Sequence, residues 1–213
     1  MYVKDNMVEN PITIGPNASV SEAVDLMSEN DLHRLPVVDD SGKLVGLVTE
    51  SVITSNTPNN ASTLSVFELN YLLNKLKISD IMIKDVITID KDALLEQAAT
   101  VLRKNDIGCL PVVEDEKLIG IITHNDIFTA FIDLLGYNHD GMRYVINIPE
   151  DKIGIMEDIS RVLSEEKISI SNLAVYNNNR GIEVVVITYG DIDASNKLKQ
   201  AGYNVTSVIK LSK

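Results

Sequence analysis

The chain has 213 residues and a formal net charge of −12, with 31 acidic against 19 basic side chains. A surface that follows nucleic acid needs clustered Lys and Arg, so this balance argues against nucleic-acid binding and against anionic membranes. This length leaves room for one large or two modest domains, and hydrophobic residues, which make up 45% of the chain, can build their cores. Because aromatic residues are only 5% and Trp is absent, the cores should be aliphatic.

The N-terminal segment and the cysteine content bear on the compartment. Residues 1–6 lack the apolar h-region of a signal peptide, and no apolar run approaches the length of a membrane span. The single cysteine, Cys109, excludes an internal disulfide and offers no second thiol for a metal. Its place beside Leu110 and Pro111 indicates a small buried hydrophobe. We therefore expect a cytoplasmic protein.

The sequence contains an internal repeat, in which residues 7–38 align with residues 82–113 at an offset of 75. The clearest match is Leu-Pro-Val-Val, which stands at 35–38 and again at 110–113. Beyond the next turn the offset becomes 74, as two matched pairs show: Gly46 with Gly120, and Thr49 with Thr123. Such a repeat predicts two copies of one β-α-β-β-α unit, packed so that each buries a face of the other.

The most informative stretch of the second copy joins a hairpin to a helix. Two β-branched runs, 110–113 and 118–122, flank a charged turn, and the second continues through Thr123 into a helical pattern. Thr123 and Asp126 have the spacing of a capping box, in which each satisfies a backbone donor of the other. Alternatively, the helix start binds phosphate or another anion, and Asp126 accepts hydrogen bonds from a ribose diol.

The two copies differ at the position of Asp126. The first copy has Val52 there, and a branched apolar side chain cannot bind a ribose diol. The site built on Thr49 is therefore degenerate, or it binds something without that contact. We place the better site on the second copy.

The segment between the copies divides into a loop and a helix. Residues 55–62 are rich in Asn, Ser and Thr and include Pro58, which is typical of a loop. Residues 63–77 have strong helical amphipathicity. This predicted helix packs on the two copies or on its own copy in a dimer; the alternative is a docking surface for another protein.

The last part of the chain, 142–213, does not continue the repeat. Its pattern predicts three strands at 142–148, 168–176 and 181–189, and a last strand over 203–211. Helices are predicted from Ile155 to near Lys167 and over 194–201. The β-α-β-β-α-β order is ferredoxin-like. The predicted organisation is α+β and has four parts: a first unit at 1–54, a linker with an amphipathic helix at 55–77, a second unit at 78–136, and a ferredoxin-like domain at 142–213.

The repeated unit, with Leu-Pro-Val-Val and Gly-h-h-Thr-x-x-Asp (h is apolar), resembles the CBS domain. CBS domains come in pairs whose clefts commonly hold adenosine-containing ligands. The resemblance implies that Asp126 accepts the ribose hydroxyls, that Thr123 faces ribose or phosphate, and that Arg34 meets a phosphate. His33 is either a phosphate neighbour or an exposed loop histidine. The full implied nucleotide site is Asn10, Ile12, Leu32, His33, Arg34, Thr123, Asn125 and Asp126.

The C-terminal domain resembles an ACT domain, because Asp-x-x-Gly stands at its first strand-to-helix turn and Ile-Ser-Ile-Ser-Asn opens its second strand. ACT domains often dimerise and bind small amino acids at such interfaces. Ile153 stands where the family commonly has Pro. Gly154 has a second interpretation, a glycine that lets a tight turn close over the helix start. The implied ligand site is Asp151, Gly154, Ile155 and Asn172.

A CBS pair followed by an ACT domain resembles the acetoin utilisation protein AcuB family over essentially the whole chain. The resemblance implies a regulatory role near acetoin or acetate metabolism, a homodimer, and a regulated enzyme as a further partner.

Catalytic motifs are missing from the sequence. No His or Cys pattern of a zinc site, no nucleophile elbow, no P-loop and no Gly-x-Gly-x-x-Gly is found. We therefore expect a protein that is not an enzyme and has no catalytic cofactor. One hypothesis is an allosteric sensor of AMP, ADP, ATP or S-adenosylmethionine, with a small metabolite at the ACT domain. The alternative is a scaffold protein whose ligand sites have lapsed.

Overall fold

The computed structural model describes residues 1–57, 71, 73–150, 153–179 and 181–212. The chain forms two compact units, Met1–Ile127 and Phe128–Lys213. Within the described residues, no helix is long and apolar enough to cross a membrane. Asp151 and most of the predicted helix over 63–77 lie outside the described residues.

The first repeat has the predicted order of elements. A 3₁₀ turn at Val3–Asp5 precedes them, and the elements are β1 (Val8–Glu9), α1 (Val20–Glu29), β2 (Arg34–Val38), β3 (Leu44–Thr49) and α2 (Glu50–Asn56). Helix α1 begins with a capping box: the Glu22 carboxylate accepts from the Ser19 backbone N–H at 2.7 Å, and Ser19 Oγ accepts from the Glu22 N–H at 3.2 Å.

The second repeat has the same order, which confirms the predicted duplication. Its elements are α3 (Ile78–Ile81), β4 (Ile89–Asp90), α4 (Leu95–Asn105), β5 (Cys109–Glu114), β6 (Lys117–Thr123) and α5 (His124–Leu134). The predicted hairpin is β5 paired antiparallel with β6, and Thr123 lies opposite Cys109. Helix α5 starts directly after Thr123 and ends before Gly136, whose φ is +71°.

The two repeats exchange short segments near their starts, a feature that the sequence did not predict. Strand β1 of the first repeat pairs with β6 of the second, with Val8 opposite Ile121. In the reciprocal position Leu47 of β3 pairs with Ile83, through backbone hydrogen bonds of 2.9 Å in both directions. Each repeat therefore completes the sheet of the other, which explains why neither is built to stand alone.

Two glycines allow this exchange. A Cβ at Gly120 would lie 2.5 Å from Met7 Sδ, and a Cβ at Gly46 would lie 2.5 Å from Met82 Sδ. These separations are shorter than a van der Waals contact, so a larger residue at either position would push the exchanged segment away. The repeated glycine in the motif is thus a packing requirement of the strand exchange.

The described end of the linker helix packs on the first repeat. Leu73 and Leu76 are partly buried against a core that contains Val20, Leu35 and Ile78. Tyr71 is 57% exposed, and Lys75 Nζ lies 4.6 Å from the centre of its ring. For these residues the contacts agree with a helix that packs on the pair, and residues 63–70 lie outside the described part.

The C-terminal part of the chain is a four-stranded antiparallel sheet with two helices. Its elements are β7 (Gly141–Ile148), α6 (Ile155–Glu165), β8 (Ile170–Asn178), β9 (Gly181–Tyr189), α7 (Ser195–Gln200) and β10 (Asn204–Leu211). The strand order is β10-β7-β9-β8, which is the ferredoxin-like arrangement of a β-α-β-β-α-β chain. Tyr144 and Ile146 of β7 pack against Ile159 and Leu163 of α6 in its core. The α+β class is confirmed.

Candidate functional site

A cavity of about 510 Å³ lies between parts of the two repeats, and all eight residues predicted to bind a nucleotide line it. Segment 10–12, the loop before β2 and the start of α5 all contribute to its lining. Sequence reasoning missed seven further lining residues: Val8, Pro11, Asp31, Pro36, Gly108, Ile121 and His124. Val8 and Ile121 enter through the strand exchange, which no local pattern signals.

Thr123 and Asp126 form the predicted capping box at the edge of this cavity. The Thr123 backbone N–H and hydroxyl both donate to Asp126 Oδ2 at 2.7 Å, and the Asp126 N–H points to Thr123 Oγ1 at 3.4 Å. Within the described residues, Asp126 Oδ1 accepts no hydrogen bond. The box therefore orients the carboxylate and leaves one oxygen able to accept from a ligand hydroxyl.

The opposite side of the cavity is more apolar. Ile12 is 40% exposed, and Leu32 is half-buried beside it in the lining. Asn10 has a left-handed backbone (φ 48°), and its N–H donates to the Ile119 carbonyl at 3.1 Å, which ties the segment after β1 to the second repeat. An apolar surface facing a few oriented polar groups is the usual form of a small-molecule site.

His33 and Arg34 supply the basic groups of the loop before β2. His33 Nδ1 lies 3.0 Å from Glu50 Oε2, and both side chains are largely exposed. Arg34 is half-buried, and its guanidinium lies over Gly108, where a Cβ would overlap it. A side chain at position 108 would therefore displace this guanidinium.

A second cavity of about 280 Å³ is the counterpart of the first. Its lining comes from the equivalent positions of the repeat: Arg34, Leu47, Thr49, Ser51, Ile83, Asp85, Val86, Ile87, Asp106, Ile107, Gly108 and Cys109. Asp85 replaces Asn10, and Ser51 replaces Asn125. Val52, the counterpart of Asp126, packs against the core of the first repeat instead.

Cys109 is buried, with 4% of its surface exposed, as predicted. Burial raises the pKa of its thiol, and the neighbouring Arg34 guanidinium opposes this shift to a smaller extent. The thiol therefore stays protonated and neutral near pH 7.

The residues predicted for a C-terminal ligand site have other contacts. Gly154 adopts φ 95° just before α6, and Ile155 is the first residue of that helix. Asn172 Nδ2 donates to the Leu134 carbonyl at 2.8 Å, so it closes the end of α5. Asp151 lies outside the described residues, and ligand binding at this group stays a prediction.

The described residues contain no cluster of His, Cys, Asp or Glu able to hold a metal ion. The polar groups around both cavities are suited to hydrogen bonding and charge pairing with an organic ligand.

Comparison with known proteins identifies the repeat. The sequence model of the CBS domain matches residues 3–56 and 78–133, which together are more than half of the chain. The chain belongs to the CBS domain family. The two matched ranges coincide with the two repeats, so the N-terminal part is a tandem CBS pair.

Three solved structures resemble this CBS pair. A Vibrio cholerae protein described as an acetoin utilization protein (AcuB) is 31% identical, with a TM-score of 0.54 over 64% of this chain and 93% of its own. CBSX2 from Arabidopsis thaliana, in complex with AMP, is 32% identical, with a TM-score of 0.52 over 62% and 96%. The CBS pair of MJ0100, in complex with 5′-methylthioadenosine and S-adenosyl-L-methionine, is 32% identical, with a TM-score of 0.51 over 62% and 95%.

Several curated relatives are enzymes, but the match is confined to the CBS portion. About 60% of this chain matches an L-aspartate semialdehyde sulfurtransferase and, separately, a homoserine O-acetyltransferase. The match covers 23% of the length of each enzyme. The catalytic parts of those enzymes thus have no counterpart in the match.

Proposed function

We propose that this protein is a ligand-sensing regulator whose CBS pair binds an adenosine-containing ligand in the larger cavity. The observation that carries the proposal is the convergence of eight residues, distant in sequence and contributed by both repeats, on one cavity. The adenosine ligands of CBSX2 and MJ0100, both more than 30% identical, support the same ligand class.

The contacts of the cavity give each part of such a ligand a partner. Asp126 Oδ1 accepts from the ribose hydroxyls while Oδ2 remains in the capping box. The adenine ring lies against Asn10, Ile12 and Leu32, since Ile12 and Leu32 provide apolar surface in the lining and Asn10 adjoins them. Arg34 and the positive N-terminal end of α5 face the anionic group of the ligand. In AMP, ADP or ATP this group is a phosphate, and in S-adenosylmethionine it is the carboxylate.

Regulation follows from the position of the cavity between the repeats. A ligand that touches both repeats stabilises the arrangement in which its two sets of contacts are made together. It shifts the equilibrium only by its difference in affinity for the two arrangements. Since the repeats exchange strands, a change in their angle moves β1 against β6.

We assign the C-terminal unit to an ACT domain, and the whole chain to the AcuB type. The ferredoxin-like strand order and the left-handed Gly154 before α6 support the assignment. On this basis the protein is a homodimer, binds a small metabolite or amino acid at the ACT domain, and regulates an enzyme of acetoin or acetate metabolism. It has no catalytic activity of its own.

A scaffold protein with lapsed ligand sites is the second candidate. Two observations favour it. Val52 packs against the core of the first repeat, and the side-chain amide of Asn172 already donates a hydrogen bond to the Leu134 carbonyl. This candidate predicts that no adenosine compound binds at all.

Isothermal titration calorimetry of the full chain with AMP, ADP, ATP and S-adenosylmethionine distinguishes the ligand-sensing regulator from the scaffold protein. At least one should bind, and Asp126→Asn should weaken it at least about tenfold, because hydrogen bonds to a charged group contribute about 1.5–3 kcal/mol. Asn keeps an oxygen for the capping box, so folding is preserved. Asp25→Asn, an exposed position on α1 outside the cavity, is the matched control and should change nothing. Binding to none of the four ligands, or equal binding by Asp126→Asn, would overturn the sensor.

A further inference from the structure

Arg34 lines both of the cavities described above. It lines the larger cavity together with Thr123 and Asp126, and it lines the smaller one together with Thr49 and Ser51. Gly108, beneath its guanidinium, is likewise common to both linings. No other Lys or Arg is found among the described residues that line either cavity.

The two repeats differ at the position of this arginine, so the pair has one arginine there instead of two related by the repeat. The counterpart of Arg34 in the second repeat is Cys109, and the counterpart of Gly108 in the first repeat is His33. A duplicated unit would place one arginine in each copy. Here the second copy has a neutral, buried thiol beside Arg34 and a glycine under it, so a single guanidinium occupies the place where two would meet.

The charge of Arg34 is not neutralised within the described chain. Arg34 takes part in no ion pair with any described carboxylate, and Cys109 beside it is protonated. A half-buried guanidinium without a carboxylate partner favours an anion nearby. The anion can lie on either side, because the guanidinium stands at the border of both cavities.

We propose that Arg34 is the cationic side chain that binds phosphate in this CBS pair and serves both of these cavities, so that a phosphorylated ligand in one excludes a phosphorylated ligand from the other. This inference rests on the proposed adenosine binding and adds its regulation. Once the larger cavity holds a nucleotide, the smaller one accepts only a ligand without a phosphate. Asp85 and Asp106 in the smaller cavity, like Asp31 and Asp126 in the larger one, repel anions, so a phosphate in either cavity is favoured only close to Arg34.

The test compares AMP with adenosine, which has the same ring and ribose but no phosphate. In isothermal titration of the full chain, one AMP should bind per chain. Arg34→Gln should weaken AMP at least about tenfold and adenosine by less than about twofold. Arg103→Gln, the same substitution at an exposed site of α4 outside both cavities, should leave both affinities unchanged.

A second variant moves the guanidinium without removing its charge. Gly108→Ala places a methyl group against Arg34 and displaces it, since the end of an arginine side chain is flexible. It should weaken AMP more than adenosine, as Arg34→Gln does. If both variants weaken AMP and adenosine equally, Arg34 is only structural and the inference is overturned.

Exclusion itself is measured by a competition experiment. Wild-type protein saturated with AMP should bind no second AMP, but it should still bind adenosine or 5′-methylthioadenosine. Two independent AMP molecules per chain would overturn the shared arginine while leaving the sensor intact. If neither AMP nor adenosine binds wild-type protein, both the sensor and the shared arginine are overturned.

Discussion

The larger cavity of the CBS pair ends at Thr123 and Asp126, whereas the smaller one ends at Thr49 beside Val52. In both, a strand runs into a helix and a threonine caps the helix start: Thr123 Oγ1 faces the Asp126 N–H, and Thr49 Oγ1 faces the Val52 N–H at 3.3 Å. The backbone is thus conserved by the repeat while the side chain three residues on has changed from a carboxylate to an aliphatic group. One substitution therefore converts a position that lines a cavity into one that packs against the core.

The two side chains stabilise their repeats in different ways. Val52 is partly buried against the core of the first repeat, so it gains part of the about 1.5–3 kcal/mol that a fully buried aliphatic side chain gains. Asp126 instead gains from two hydrogen bonds to its ionised oxygen. Each residue therefore contributes to stability, although the two cavities differ in the chemistry of their lining.

The variants Gly120→Ala and Gly46→Ala should give the largest effects, and they should distinguish the larger cavity from the smaller one. Either methyl group meets a methionine sulfur of the exchanged segment, so each variant should lower the free energy of unfolding by about 1–2 kcal/mol in urea denaturation. Only Gly120→Ala shifts Met7 and the adjoining Val8, and Val8 lines the larger cavity. It should weaken AMP several-fold in isothermal titration, whereas Gly46→Ala should leave AMP affinity nearly unchanged.

These two variants are controls for each other, because they remove equivalent glycines at equivalent exchanged segments. Equal weakening of AMP by both would show that the cavities do not differ in the way described. Stronger weakening by Gly46→Ala would place the nucleotide in the smaller cavity.

A smaller effect is expected from Cys109, the counterpart of Arg34. Titration of its thiol should make the free energy of unfolding depend on pH. An unfolded thiol titrates near about pH 8.5. Burial raises the pKa of Cys109, so above that pH the folded state keeps a proton that the unfolded state has lost. The contribution of this group to stability is therefore complete below about pH 8.5 and declines as the pH rises toward the folded pKa.

Urea denaturation at pH 7.5 and 9.5 measures this decline. Wild-type protein should lose up to about 1 kcal/mol more than Cys109→Ala between the two values. Any general loss from the alanine substitution is present at both pH values and cancels in the comparison. An identical pH dependence of the two proteins would show that the thiol is not shielded from water when folded.

Local sequence patterns predicted the elements well, because their signals are local. The β-branched runs around residues 110–113 and 118–122 formed the hairpin, and the helical pattern after Thr123 formed α5. The ferredoxin-like order of the last domain was confirmed by the four-stranded sheet. The repeated Asp31 and Asp106 adopt φ 53° and 51° where α1 and α4 end. The sequence showed their repetition but not their place beside the cavities.

Long-range contacts could not be predicted from the same patterns. The pairing of Val8 with Ile121 joins residues far apart in the chain, and its only local trace is the repeated glycine at positions 46 and 120. Asn172 was assigned to a ligand site by resemblance, but its amide lies at the Leu134 carbonyl. The position of Arg34 over Gly108 depends on both repeats at once, so neither repeat alone signals it.

A crystal structure of the full chain with AMP is the most direct test of nucleotide binding in the larger cavity. One AMP per chain is expected there, with its ribose hydroxyls on Asp126 and its phosphate on Arg34. AMP in the smaller cavity, or AMP in the larger cavity without contact to Asp126, would contradict it.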